Sequence, residues 1–245
     1  MTTLFISDLH LSEYRPEISR AFFSFLDQHA KHAQKLYILG DFFDFWVGDD
    51  YLSHSDSDKL AKKVVAHLAQ LSKNNVEVFF MPGNRDFLLG PEFMMLCDMQ
   101  LLCDPTVITL DNVPTLLMHG DSLCTQDKDY MQFRAMARSE NWKNAQLAKP
   151  LDERLRFAQH LRQSSQQQNS YKAEDILDVD ENEVQRTMLN FGVSQLIHGH
   201  THRPHVHHYT NPDRIRYVLG DWHQQGGWYL QHDHNGLLLK PYTLA

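Results

Sequence analysis

The chain has 245 residues, 42% hydrophobic and 11% aromatic, so it can bury a sizeable core and is too apolar to stay disordered. A formal net charge of -8 argues against a general nucleic-acid binder, which carries a basic excess. Three cysteines, Cys97, Cys103 and Cys124, show no zinc-type spacing and no CxxC, which excludes a disulfide framework and points to a reducing compartment.

Taken in chain order, Thr3–Ile6 is predicted as a first strand. Pro16 then opens a helix with Ile18, Ala21, Phe22, Phe25 and Leu26 on one stripe. Lys35–Leu39 is a second strand, Lys59–Leu71 a helix with Leu60, Val64, Leu68 and Leu71 inward, and Val76–Met81 a third strand. Strand, helix, strand, helix, strand favours parallel pairing with helices outside, and such sheets bind ligands beyond the carboxyl ends of their strands. Val113–Met118 is a further strand ending in His119.

After Asp121 the character changes. Residues 125–180 lose strand patterning and become helical and polar, with Ser164–Asn169 reading as a helix end or turn. Between Met131 and Lys172 stand eight lysines and arginines against three acids, inside an acidic chain. A basic helical insert (125–180) between a first core part (1–124) and a second (181–245) is predicted to act as a cap, its cations free to attract anionic lipid. The alternative is a solvated helix face. Asp180 with Glu183 then starts a helix and Gly192 stops it. Gln195–His198 is a strand, and Arg214–Leu219, Gly227–Gln231 and Gly236–Pro241 are predicted closing antiparallel strands, the last two joined at Asn235-Gly236. No basic leader precedes the apolar N-terminal stretch, which Asp8 interrupts, and no run approaches the ~18 apolar residues of a spanning helix, so a cytosolic protein able to touch a membrane face is expected.

Five segments carry the chemistry: Asp8-Leu9-His10, Gly40-Asp41-Phe42-Phe43-Asp44, Gly83-Asn84-Arg85-Asp86, His119-Gly120-Asp121 and Gly199-His200-Thr201-His202. Each couples an apolar run to a sudden Asp, Asn or His. Taken singly each match has a bland reading: a helix cap for Asp8, turn chemistry for Asp41, a packed core imidazole for His119. In order and each at a predicted strand end, they converge on one spot. Oxygen and imidazole donors without thiolate suit Mn, Fe, Mg or Zn at five- or six-coordinate sites, and two ions ~3.5–4 Å apart can activate water and clamp a phosphoryl group.

The order D-x-H, G-D-x-x-D, G-N-x-D, H, G-H-x-H resembles the calcineurin-like metallophosphoesterases. That resemblance implies an α/β fold, an αββα double-sheet sandwich with a helical cap insertion, and a binuclear site. It puts Asp8, His10, Asp41 and His202 on one metal, and Asp41, Asn84, His119 and His200 on the other. Asp44 and Asp86 look like partners that orient those ligands; His198, His205, His207 and His208 are read as structural. Where most of the superfamily has His after the Asn, this chain has Arg85, which stays protonated and can stabilise phosphoryl charge but cannot act as an acid near neutral pH. A phosphate monoester leaves far more easily than an alkoxide, so Arg85 favours splitting a pyrophosphate.

The strings F-I-S-D-L-H-L, G-D-F-F-D-F-W-V-G-D-D, P-G-N-R-D-F-L-L-G, H-G-D-S-L-C-T-Q-D and H-G-H-T-H-R-P are similar to the UDP-2,3-diacylglucosamine diphosphatases of lipid A biosynthesis. This implies cleavage of a nucleotide-lipid pyrophosphate to UMP and a diacylglucosamine 1-phosphate by attack at the phosphorus nearest uridine. It also implies Mn²⁺, two ions per chain, a monomer, and loose association with the cytoplasmic face of the inner membrane. It carries catalysis onto Asn84, Arg85 and Asp41. Substrate contacts fall on Asn84, Arg85, Asp127, His200 and a cap pattern of Ser165, Asn169 and Lys172. Tyr130, Phe133, Met136, Leu151, Leu155, Phe157 and Leu161 are candidates for lining an acyl groove, or for simply packing the cap helices together. Rival readings are another pyrophosphohydrolase acting on UDP-sugars or dinucleoside polyphosphates, a protein phosphatase, and an inactive scaffold that binds partner proteins.

Overall fold

In the computed structural model, residues 1–53, 59–171, 178–210 and 212–244 are described. Two sheets form the centre. The first has the order β11-β10-β1-β2-β3-β4, built from β1 (Thr3–Ile6), β2 (Lys35–Leu39), β3 (Glu77–Met81), β4 (Met99–Leu101), β10 (Gly226–Asp233) and β11 (Gly236–Thr243). The second has the order β5-β6-β7-β9-β8, from β5 (Thr106–Leu110), β6 (Val113–Leu117), β7 (Gln195–His198), β8 (His205–Thr210) and β9 (Asp213–Val218). As predicted, β1 to β3 pair in parallel.

The side-chain alternation of a strand explains the layering. Phe5, Tyr37, Leu39, Phe79 and Met81 of the first sheet pack against Leu117, Ile197, Tyr217 and Leu219 of the second. Leu4, Ile6, Leu36, Ile38 and Phe80 point the other way, onto α1 (Pro16–Gln28), α2 (Lys59–Lys73) and α3 (Pro91–Cys97). Leu116 and Leu196 pack against Val184 and Met188 of α7 (Glu181–Phe191). The layers therefore run helix, sheet, sheet, helix. Pro16 occupies the first turn of α1, and its buried Ile18, Phe22 and Phe25 give the stripe that seats it. Leu60 of α2 is only partly buried; Ala61 faces the core beside Val64 and Leu68. Asp180 caps α7 through the N–H groups of Asn182 and Glu183, and Gly192 closes it at φ 64°.

Several expectations are corrected. Short α3, β4, β5 and β8 were not foreseen. In β8 the alternation of half-buried and exposed residues is written in histidines, which hide the usual apolar signal. The Arg214–Leu219 strand is observed as β9, which runs parallel to β7 and antiparallel only to β8, because the chain first passes β7 to build the edge strand. At the β10–β11 hairpin Asp233 pairs with Gly236, so His234-Asn235 make the turn and Gly236, at φ 89°, supplies the left-handed residue one place later than expected.

Three helices follow β6: α4 (Lys128–Ala137), α5 (Glu140–Leu147) and α6 (Leu151–Tyr171). The Ser164–Asn169 stretch is not a helix end but part of α6, because glutamines are good helix formers and no Gly or Pro interrupts the run. Part of the basic excess of this region pairs with acids of the core. Arg134 holds Asp121 and Asp104 at 2.9 and 3.0 Å. Arg138 reaches the Pro82 carbonyl and Asp121, Arg162 pairs with Asp44 at 2.6 Å, and Arg154 grips the Val47 carbonyl and the Asp50 carboxylate. Four of the eight cations thus clamp the helices onto the loops at the sheet edge.

Arg154 is 4% exposed, so its loss strands a buried carbonyl at a cost of about 1–3 kcal/mol. Arg154→Ala should therefore accelerate limited proteolysis within residues 125–180; cleavage at the wild-type rate would contradict the clamp.

Candidate active site

All five motif segments begin where a strand ends. Asp8 and His10 follow β1, Asp41 follows β2, Asn84 follows β3, His119 follows β6, and His200 and His202 follow β7. Five of the seven lie in the left-handed backbone region: Asp8 at φ 56°, His10 at 48°, Asp41 at 51°, His200 at 69° and His202 at 56°. Each such residue costs on the order of 1–3 kcal/mol and persists only where its surroundings dictate it. Here the loops are laced together: Asp8 N–H donates to the Gly40 carbonyl at 3.1 Å, His10 N–H to Asp41 at 2.9 Å, and Gly199 N–H to His119 at 2.9 Å. Glycines make room. A Cβ on Gly83 would lie 2.2 Å from Asp41 Oδ1, and one on Gly199 2.2 Å from Asp8 Oδ2.

The side chains form a continuous file. Asn84 Oδ1 is 2.9 Å from His119 Nε2, which is 3.6 Å from Asp41 Oδ1. Asp41 Oδ2 is 3.8 Å from His10 Nε2, which faces His202 Nε2 at 3.3 Å; His202 Nε2 is in turn 3.4 Å from Asp8 Oδ1. His200 completes the set, its ring edge-on to His119 with centroids 5.1 Å apart. Asp8, His10 and His202 form one group able to hold a cation, and Asp8, Asp41 and His119 another. The donors fit such an ion. Asp8 Oδ1 is buried without a hydrogen-bond donor, two imidazole nitrogens converge, and the set holds oxygen and nitrogen with no thiolate, suiting a hard or borderline divalent metal.

The surrounding charges follow. Burial would lower His119, but the carboxylates of Asp41, Asp121 and Asp8 push it up to about 9, while the Leu39 carbonyl fixes its Nδ1 at 2.9 Å. Burial, helped by the charge of His119, brings His200 down to about 4. Burial would raise Asp8, yet its contact with His202 and the nearby His119 and His10 hold it well below the carboxylate range. Asp86 is pushed up to about 7 by burial and by Asp41. It accepts hydrogen bonds from the N–H groups of Phe42 and Gly83 at 2.7 and 2.8 Å, shaping the two turns that carry Asp41 and Asn84. Asp44, expected to orient ligands in the same way, instead anchors Arg162. His198, read as structural, is fully buried against the Gly199 carbonyl.

Arg85 donates its backbone N–H to Asp41 Oδ1 at 2.9 Å, and its side chain lines a narrow apolar cleft with Asn84, Phe87, Trp142, Phe157 and Leu161. Of the residues expected along an acyl groove, Phe157 and Leu161 lie there, Phe133 packs on Trp142, and Met136 is half exposed. Tyr130 does something else: its ring stacks over His200 and its hydroxyl donates to Asp121 at 2.5 Å. Asp127 caps α4 by accepting from Tyr130 N–H at 3.2 Å. Ser165 and Asn169 lie on α6, but their side chains, and Lys172 entirely, fall outside the described residues. Sequence reasoning missed Asp221, 3.8 Å from His202 Nδ1, although Gly220-Asp221 repeats the Gly-Asp signal of Gly40-Asp41.

Residues 1–204 match the model of the calcineurin-like phosphoesterases. The chain belongs to that family. A curated relative from Cellvibrio japonicus, named UDP-2,3-diacylglucosamine hydrolase, is 50% identical and covers 100% of both chains. One of the same name from Chromohalobacter salexigens is 49% identical over 93% of this chain and 92% of its own, and one from Pseudomonas aeruginosa 47% identical over 100% of each. The calcineurin-like assignment and the ligand geometry together establish a divalent-metal hydrolase site. No helix among the described residues is long and apolar enough to cross a membrane.

Burial pushes His198 down to about 3. The unfolded chain takes up a proton near the ordinary value of 6.5 that the folded protein refuses, so stability is full above that pH and falls as pH drops towards 3, by at most about 1.4 kcal/mol per unit. Thermal melts between pH 7 and 5 should show this decline, shallower in His198→Asn; equal slopes would refute the assignment.

Proposed function

We propose that the chain hydrolyses the pyrophosphate of UDP-2,3-diacylglucosamine, releasing UMP and 2,3-diacylglucosamine 1-phosphate, as the names of its relatives suggest. The observation that carries this reading is an apolar cleft whose lining includes Asn84 and Arg85, so that a substrate with an apolar portion in the cleft would bring its phosphates near the ligand file. A water-soluble UDP-sugar has no use for such a cleft.

On this reading the donors would divide as two sites sharing Asp41, with Asp8, His10 and His202 on one side and Asn84, His119 and His200 on the other, although the two cation-holding groups of the structure have Asp8 in common. Two Mn²⁺ ions would fit them, and when bound they would lower the pKa of water and offset phosphoryl charge. Asp41 is fixed by the Arg85 N–H and by the turn that Asp86 organises. Asn84 offers its amide oxygen beside His119. Arg85 brings a permanent cation to the phosphates, where it stabilises charge as the bond to the leaving phosphate breaks. The leaving group is itself a phosphate and needs no strong acid. Asp127 and the α6 positions Ser165 and Asn169, with Lys172, would hold the glucosamine portion. Residues 125–180 then serve as the cap between core parts 1–124 and 181–245. We also take the protein to act as a monomer on the cytoplasmic face of the inner membrane, where its substrate resides.

Incubation with UDP-2,3-diacylglucosamine and Mn²⁺ in oxygen-18 water should give UMP carrying the label. Label in the lipid product would place attack on the other phosphorus, and absence of both products would defeat the assignment. Arg85→Ala should retain metal binding while kcat falls by ~10²–10³, the cost of one transition-state donor. Near-wild-type turnover would remove Arg85 from the chemistry.

A further inference from the structure

A second cavity, which the reading above leaves unused, lies beside the other end of the ligand file. Its volume is about 520 Å³, within the roughly 300–1,000 Å³ typical of small-molecule sites. Its floor is the β8–β9 pair, where His207 and Arg216 stand opposite one another. One wall is the entry to α7, from Asp178 to Glu181, and the rim includes Thr201 and Arg203. These two residues flank His202 in the chain, so the cavity adjoins the loop that carries that member of the ligand file.

Among the described residues its charge is balanced. Arg203 pairs with Asp178 at 2.5 Å and Arg216 with Glu181 at 2.5 Å. Two cations against two carboxylates make a poor trap for an anion. They present donors and acceptors side by side, which suits a neutral group with both, such as a ribose diol or the edge of a pyrimidine base. Arg216 lines the cavity, is 2% exposed, and keeps a buried Nε–H without a hydrogen-bond partner. A buried donor in that state costs free energy unless something meets it.

The contact order across the site assigns the two ends. From Asn84, which borders the apolar cleft, the file passes through His119, Asp41 and His10 to His202, whose chain neighbours Thr201 and Arg203 line the polar cavity. A pyrophosphate spanning the file would send an apolar group one way and a polar group the other. We propose that this cavity receives the nucleoside end of the substrate, with Arg203, His207 and Arg216 reading the ribose and base. The assignment rests on the function proposed above and adds where its nucleotide goes. It revises the sequence-based view of His207 as merely structural.

Titration of UMP into the Mn²⁺-loaded protein, followed calorimetrically, tests the site without turnover. Arg203→Gln and His207→Ala should each weaken UMP binding by tenfold or more, while the affinity for inorganic phosphate and the melting temperature stay near wild type. Absence of UMP binding to the wild-type protein, or wild-type UMP affinity in both variants, overturns the assignment. Equal losses for UMP and phosphate overturn it as well, because the damage would then lie at the metal cluster. Turnover of the diacyl substrate by the same wild-type sample separates the two ideas. Turnover with UMP binding indifferent to both variants leaves the function standing and removes the cavity. No turnover with variant-sensitive UMP binding does the reverse.

Discussion

Two buried carboxylates and four imidazoles are crowded into a few ångströms, and the architecture around them exists to tolerate that crowding. Asp8 and Asp41 are 0% and 2% exposed. Burying such charges costs several kcal/mol each unless partners meet them. The histidines supply part of the compensation, as the lifted His119 and the depressed Asp8 show. Asp8 Oδ1 has no hydrogen-bond partner, and beside it the Nε2 atoms of His10 and His202 face each other at 3.3 Å. A divalent cation is the group that turns this arrangement from a cost into a gain.

The double sheet makes the convergence possible. Parallel strands deliver their carboxyl ends to one edge, and the two sheets face each other closely enough that loops from both meet. The left-handed residues then turn the chain sharply, so that Asp8 and His10, two residues apart, both reach the cluster. The strain is borne by backbone hydrogen bonds between the loops and by glycines at points where no Cβ fits. The helices α4 to α6 complete the enclosure by spending their arginines on acids of the sheet edge rather than displaying them.

Much of this was legible in the sequence because a polar residue at the end of an apolar run is a local signal. The strand-end placement of the seven candidate ligands, the strands β1 to β3 and the α7 caps depend on neighbours within a few residues. What escaped depends on partners far along the chain. Tyr130 is separated from His200 by three helices and a strand, so nothing near it marks a ring stacked on an imidazole. The purpose of Arg134, Arg154 and Arg162 is set by Asp121, Asp50 and Asp44, and a charge count alone suggested a surface role instead. The parallel placement of β9 follows from the order in which edge strands are laid down, which hydropathy does not encode. Asp221 is the exception: its Gly-Asp signal was present and simply unused.

The proposal at the centre of this account is that Asp41 joins two cation sites in one cluster. Mn²⁺ binding to the purified, chelator-stripped protein, counted by elemental analysis after dialysis, tests it most directly. The account predicts two ions per chain for the wild type and fewer than one for Asp41→Ala, with circular dichroism unchanged. Two ions retained by Asp41→Ala, or none bound by the wild type, would contradict it.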